Sequence, residues 1–275
     1  ASPQVAGMAA LLSQYIQEND LDTKTGMNVR HLAQSLLMST AEPIEADEDN
    51  YFSILQQGAG LANIHNAITA DSFIVMGEGT NSGAADGKVK VELFDDPDRT
   101  GAYSATFTIR NLTNQQKNIN LSADFFIQNL LSDGEYLYMD YATAMIAMNV
   151  IWTIGGARVT AEAADMTGMD FNGDGFVNVD DGKRLLDYAT GLLVQLYNQD
   201  KADVDGDGDI DSHDAYVFLS GLSTTTAVLP ANGSVDIRVD FSLSESMKAE
   251  LNEAYPNGTY LQGYLYAETE NADGE

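Results

Sequence analysis

"DFNGDGFVNVDD", residues 170–181, packs four acidic side chains and two asparagines into twelve positions. Like charges this close repel, and an ordinary loop gains nothing by holding them together. Counted from Asp170, oxygen-bearing side chains fall at positions 1, 3, 5, 9 and 12: Asp170, Asn172, Asp174, Asn178 and Asp181. Gly175 is sixth and Val177 eighth. Phe176 is seventh, where only its backbone carbonyl would serve. This is the layout of a twelve-residue, EF-hand-like calcium loop. A chain wrapped round a hard cation turns alternate side chains inward, and its sixth residue makes a turn that Gly takes without strain. The pattern recurs in "DVDGDGDIDSHD", residues 203–214: Asp203, Asp205, Asp207, Asp211 and Asp214, with Gly208 sixth, Asp209 seventh and Ile210 eighth. A merely solvated acidic loop has no reason to keep Gly and an aliphatic residue at fixed offsets. Two calcium ions are therefore the expected cofactor.

Outward from these loops, residues 165–222 hold 13 Asp and no Glu against 3 Lys and Arg, a formal net of −10. A helix is expected after each loop. "DDGKRLLDYATGLLVQLYNQ" spaces Leu185, Leu186, Ala189, Leu192, Leu193 and Leu196 along one helical face, and "DAYVFLSGL" does the same with Val217, Phe218 and Leu222. No entering helix is expected before the first loop, because "EAADMTGM" is short and contains Gly. Position 12 is Asp in both loops instead of the longer bidentate Glu of calcium sensors.

Two such loop–helix units in sequence resemble a dockerin. The resemblance implies two structural calcium sites and a partner, a cohesin domain on a scaffold protein, as in cellulosome-type assemblies for polysaccharide catabolism. It also implies that positions 10 and 11 of each loop select the partner. Here these are Val179 and Asp180 in one repeat, Ser212 and His213 in the other. The pairs differ, so binding in two equivalent orientations does not carry over. His213, at position 11, is expected to point away from the ion and to serve as a surface contact.

On either side of the acidic segment the sequence alternates. "GKVKVELFDD" sets Val89, Val91 and Leu93 against Lys88, Lys90 and Glu92. "AYSATFTIRNLTNQQKNINLSADFF" reads as two strands around an Asn-rich turn, with Tyr103, Ala105, Phe107 and Ile109 on one face and Ile119, Leu121 and Ala123 after the turn. "TTAVLPANGSVDIRVDFSL" gives a strand, a Pro-Ala-Asn-Gly turn and a strand carrying Val235, Ile237, Val239 and Phe241. "YPNGTYLQGYLYAE" puts Tyr260, Gln262, Tyr264 and Tyr266 on one face, and Leu261, Gly263 and Leu265 on the other. About seven short strands of this kind predict an antiparallel sandwich. The pattern is similar to the fibronectin-type-III-like domain that follows the catalytic domain in large cell-envelope subtilisin-like proteases.

The first 70 residues are similar to that same family. "ASPQVAG" resembles the end of the Gly-Thr-Ser-Met-Ala-x-Pro-x-Val-Ala-Gly signature, and "VRHLAQSLLMSTAEPI" and "QQGAGLANIHNAI" resemble the two blocks that follow it, in family order. The family's nucleophilic serine would lie two residues before Ala1, and His31, His65 and His213 lack its His-Gly-Thr context. No catalytic residue is therefore expected in this chain, since a triad works only with all its members in reach. Val5, Met8, Ala9, Leu12 and Ile16 form an apolar stripe on an opening helix, with Pro3 in its first turn. The opening reads as cut from something larger.

Bulk properties suit a soluble extracellular protein or one that binds hard cations, and the resemblance implies a protein that is secreted or attached to the cell surface. A formal net charge of −29 over 275 residues argues against nucleic acid and anionic membranes as partners. There is no cysteine, hence no disulfide or thiol chemistry. No run of about 18 apolar residues is present, so no membrane insertion is expected.

The expected fold class is α+β and multidomain. Residues 1–72 form the helical C-terminal segment of a subtilisin-like catalytic domain, 73–164 and 223–275 a fibronectin-III-like β-sandwich, and 165–222 a small inserted α dockerin. The expected function is calcium-dependent docking on the C-terminal part of a secreted serine protease. One alternative is a serine endopeptidase whose triad sits on a separate upstream chain. Another is a calcium-stabilised structural module with no partner.

Overall fold

The alternating stretches pair as antiparallel strands and the periodic ones coil as helices, giving an α+β protein. The computed structural model describes residues 2–47, 50–76, 87–132, 134, 136–159, 166 and 168–269. Ala1, the 164/165 boundary and most of "EAADMTGM" lie outside the described residues.

The N-terminal part is helical: α1 (Ser2–Glu18), α2 (Leu21–Thr25), α3 (Val29–Ser39), α4 (Ile54–Gln57) and α5 (Ile64–Thr69), with a small hairpin of β1 (Glu45–Asp47) and β2 (Asn50–Tyr51). Leu12 and Ile16 of α1 meet Leu32, Leu36 and Leu37 of α3 and Ala67 of α5 in one core. Asn28 caps α3 by accepting the His31 N–H at 2.9 Å, and Asn63 caps α5. The apolar stripe of α1 is shorter than its spacing predicts. Burial begins at Met8, and Val5 is exposed.

The rest of the framework is two sheets sharing a core. One sheet has the order β3 (Ser72–Val75), β4 (Ala102–Asn111), β10 (Ser234–Ser242), β7 (Asn149–Ile154), β8 (Ala157–Arg158). In the other, β5 (Lys117–Ser132) pairs with β11 (Leu261–Thr269) on one edge and, end to end on the other, with β9 (Thr225–Leu229) and β6 (Leu137–Ile146). Phe107, Ile109, Trp152, Ile237, Val239 and Phe241 of the first sheet face Ile119, Leu121, Phe125, Ala227 and Leu229 of the second. The faces expected for β4, β5 and β10 are thus the buried ones.

The turns join different sheets. β4 and β5 flank the Asn-rich turn, and β9 and β10 flank the Pro-Ala-Asn-Gly turn, yet neither pair is a hairpin. The two turns lie side by side. Asn111, nearly buried, donates from Nδ2 to the carbonyls of Gln115 and Pro230, and the Asn232 N–H donates to the Thr113 carbonyl at 2.7 Å.

One expectation fails. Residues 87–95 form no strand, although Val89, Val91 and Leu93 do pack on the sandwich core. Alternation reports a buried face, and burial came here without a ladder partner. The 72/73 boundary falls inside β3, whose Phe73 enters the helical core while Ile74 packs on the sandwich core. The strands β6 and β7 and helix α8 (Glu245–Ala254) went unrecognised, because small Ala and Thr blur the period of "YATAMIAMNVIWTI".

Beyond β3, the hairpin of β1 and β2 ties the helical part to the sandwich. Thr143 donates to the Tyr51 carbonyl at 2.9 Å, and Gln262 Oε1 accepts from Ser53 and from the Ile54 N–H. Tyr51 donates to Asp124 at 3.2 Å, its hydroxyl is 3.1 Å from that of Tyr266, and the Tyr264 ring lies edge-on to it. Burial is the main cause that raises the pKa of all three phenols, Tyr264 to about 12. The folded state thus favours the neutral phenols. Their contribution is complete below the ordinary phenol value near 10 and is lost as pH rises through the raised values. In an alkaline absorbance titration of the 13 tyrosines, a late-ionising group should therefore coincide with loss of tertiary structure. Simultaneous ionisation of all of them near the ordinary value would contradict this.

Candidate metal centres

Between β8 and β9 the chain leaves the sandwich and builds a small unit around two helices, α6 (Val179–Ala189) and α7 (Ser212–Ser223). Each begins inside one of the acidic loops. Asn178 and Asp211 are the N-caps, and Asp181 and Asp214 complete a capping box by accepting the cap residue's own N–H.

The two loops fold alike. The position-1 carboxylate accepts the N–H of the position-6 glycine, at 3.0 Å for Asp170 and Gly175 and 3.1 Å for Asp203 and Gly208. The position-3 oxygen accepts from position 5, Asn172 from Asp174 at 2.8 Å and Asp205 from Asp207 at 3.0 Å. The position-5 oxygen accepts from position 7, in both loops at 2.9 Å. The two glycines sit at φ +87° and +98°, in the left-handed region where a side chain would be strained. The expected role of position 6 holds.

The last carboxylate closes each loop. Asp181 Oδ1 accepts from the N–H groups of Phe171 and Asn172 at 2.7 and 3.0 Å, and its Oδ2 accepts from Asn178 at 2.9 Å. Asp214 does the same with Val204, Asp205 and Asp211 at 2.6, 3.3 and 2.8 Å. These carboxylates are 0% and 1% exposed, among the few buried charged groups of the described residues. Burial, with a smaller push from the Asp170 charge, raises the pKa of Asp181 despite its three N–H donors.

The remaining oxygens stay at the surface. Asp203, Asp205 and Asp214 bring carboxylate oxygens within 4.8 Å of one another, close enough for one cation to bridge them. The first loop has asparagines at positions 3 and 9, so it gathers fewer charges. Both donor sets are all oxygen, which suits a hard cation and not zinc or copper. Phe176, at position 7, is 71% exposed, so its ring takes no part in the loop, its N–H is given to Asp174, and its carbonyl is the acceptor it can offer a cation.

Packing holds the loops to the helices. Phe171, Val177, Val204 and Ile210, at positions 2 and 8, join Leu185, Leu196, Ala202, Ala215 and Phe218 in one core, with the Phe171 and Phe218 rings 5.5 Å apart. The aliphatic position 8 has its reason here. Position 2 was the missed signal, apolar in both loops.

Two expectations are corrected. Helix α6 stops at Ala189, and Gly191 at φ +78° turns the chain while the Leu192 N–H reaches back to the Asp187 carbonyl at 2.8 Å. Leu192 is consequently 76% exposed and Leu186 39%, whereas Leu185 and Leu196 are buried. Nor does His213 turn away from the loop. Its Nδ1 lies 2.6 Å from Asp205 Oδ2, and its ring stacks on Tyr216. That bond raises the His213 pKa and lowers that of Asp205. Before the second loop there is only a 3₁₀ turn, Gln199–Lys201, so no long helix enters it.

The four candidate partner-facing residues part company. Ser212 and His213 are exposed, whereas Val179 is 5% exposed and Asp180 is half-buried. Ser2 is exposed on α1, and the His31 ring is bonded to its own helix cap, Asn28.

No protein-family model matches the chain, and no curated protein matches it. Among the described residues, no helix is long and apolar enough to cross a membrane.

The two helices approach closely at Gly182. A Cβ at Gly182 of α6 would come 2.4 Å from Leu219 Cδ2 and 3.1 Å from Phe218 Cδ1 of α7. A Cβ at Gly221 would meet only Met166, at 3.5 Å. Gly182→Ala should therefore destabilise the unit by about 1–3 kcal/mol, as overpacking does. Gly221→Ala should be neutral, or stabilising by up to about 1 kcal/mol. Thermal unfolding of the two variants checks the contrast.

Proposed function

We propose that residues 165–222 are a calcium-dependent docking module of the dockerin type, binding a cohesin domain on an extracellular scaffold protein. It is inserted in a fibronectin-III-like sandwich that follows the C-terminal part of a subtilisin-like serine protease. One observation carries this reading: two acidic loops repeat the same internal hydrogen bonds in the same register, each closed by a buried aspartate at the start of a helix.

The loop residues do most of the work. Asp170, Asn172, Asp174, the Phe176 carbonyl, Asn178 and Asp181 form one oxygen set, and Asp203, Asp205, Asp207, the Asp209 carbonyl, Asp211 and Asp214 the other. Backbone N–H groups orient these oxygens and satisfy their spare lone pairs. When bound, Ca²⁺ supplies charge compensation, and two ions would bring the segment from −10 to about −6. Without compensation the carboxylates repel at short range, and a core this small is weak alone.

The enzyme reading rests on the resemblance of residues 1–70 alone. It places the triad on a separate upstream chain, so an active-site serine phosphonate should leave this chain unlabelled.

Two outcomes test the docking module. Chelation should remove helical circular dichroism and leave the strand signal, and identical spectra with and without calcium would reject the metal assignment. Ser212→Ala with His213→Ala should weaken cohesin binding by more than about 1 kcal/mol, the scale of a lost interface hydrogen bond. The matching change at Val179 and Asp180 should do less. Titration calorimetry on the two double variants measures the difference.

A further inference from the structure

Positions 10 and 11 occupy the same turn in both repeats, immediately after the loop and at the start of the helix. The backbone geometry there is the same. The N–H of position 11 donates to the position-9 oxygen, at 2.8 Å from Asp180 to Asn178 and at 2.7 Å from His213 to Asp211. Yet Val179 is buried and its counterpart Ser212 is exposed. Exposure at position 10 thus differs between the repeats although the backbone does not. In the first repeat this turn also bonds groups outside the unit.

Those groups belong to β7 of the sandwich and to α8. Asn149, the first residue of β7, accepts the Val179 N–H on its Oδ1 at 3.0 Å, satisfying a donor that the first turn of a helix leaves unpaired. Ser246 of α8 donates to Asp180 Oδ1 at 2.6 Å, and Glu250 pairs with Lys183. Ser246 and Glu250 lie one turn apart on α8, as Asp180 and Lys183 do on α6, so the two bonds run in register. Ser244 caps α8 by accepting the Met247 N–H at 3.2 Å, and its hydroxyl lies 3.0 Å from that of Ser246, which fixes the end that reaches Asp180.

We propose that β7 and α8 engage the first repeat's opening turn as an intramolecular latch, leaving the Ser212–His213 turn of the second repeat as the open face. Resting on the docking reading, this makes the module one-sided. A cohesin would approach the α7 turn of Ser212 and His213 in a single orientation, set by the sandwich.

With no native cysteine, single-cysteine labelling of the full chain gives a direct test. With calcium present, Val179→Cys should react with a bulky fluorescein maleimide at least about tenfold more slowly than Ser212→Cys, since covered groups wait for local opening. Adding Ser246→Ala and Glu250→Ala should bring the Val179→Cys rate toward that of Ser212→Cys. Equal rates in the two single variants, or no response to the α8 changes, would overturn the latch. Hydrogen exchange on the unsubstituted chain guards against a variant that misfolds: the Val179 amide should be protected, and an unprotected one overturns the proposal. Failure of every cohesin in a binding panel would reject the docking reading instead, and the labelling rates would still decide the latch.

Discussion

Each acidic loop depends on one buried carboxylate. Asp181 and Asp214 are removed from water, yet each accepts three backbone N–H groups drawn from both ends of its own loop. Such donors favour the charged form while burial disfavours it, and for Asp181 burial is the larger effect. A charge held this way fixes the loop's path and starts the following helix through a capping box, and in the second loop it stands within 4.8 Å of the Asp203 and Asp205 oxygens. The candidate metal centres, the two helices and the small core between them all follow from that closure.

The same economy of contacts joins the larger parts. β3 is four residues long and serves two cores at once, with Phe73 among the helices and Ile74 against the sandwich. The tyrosine face of β11 is not a solvent face, because the β1–β2 hairpin covers it through Tyr51. The N-terminal helices are thus tied to both sheets, at β3 and at β11. A cut between residues 72 and 73 would expose Phe73 and sever β3.

The internal symmetry of the inserted unit is broken from outside. The loops share the same set of closing bonds, and the two helices pack closely because Gly182 has no side chain. Among the described residues, the bonds from the opening turns to groups outside the unit fall on the first repeat alone, through Asn149 and Ser246, with Glu250 pairing to Lys183 one turn on. On the docking reading, this contact and not the difference between the residue pairs decides which face a partner can reach.

The sequence by itself determined what depends on local spacing. The oxygen positions, the glycine turn, the apolar eighth residue and the buried faces of β4, β5 and β10 were all legible, because each is set by the geometry of a few consecutive residues. Local pattern also misled where it was read without its stop signals. The leucines after Gly191 continue a helical period that the backbone abandons, and Val89, Val91 and Leu93 alternate without a strand to join. Only the tertiary structure decided which sheet each strand enters, that Tyr264 and Tyr266 face a hairpin, and that Val179 is covered. Asn149 and Ser246 lie 30 and 66 residues from the groups they bind, and no local rule links them. Hydrophobic period reports that a residue is buried, but the burying group is chosen by the path of the whole chain.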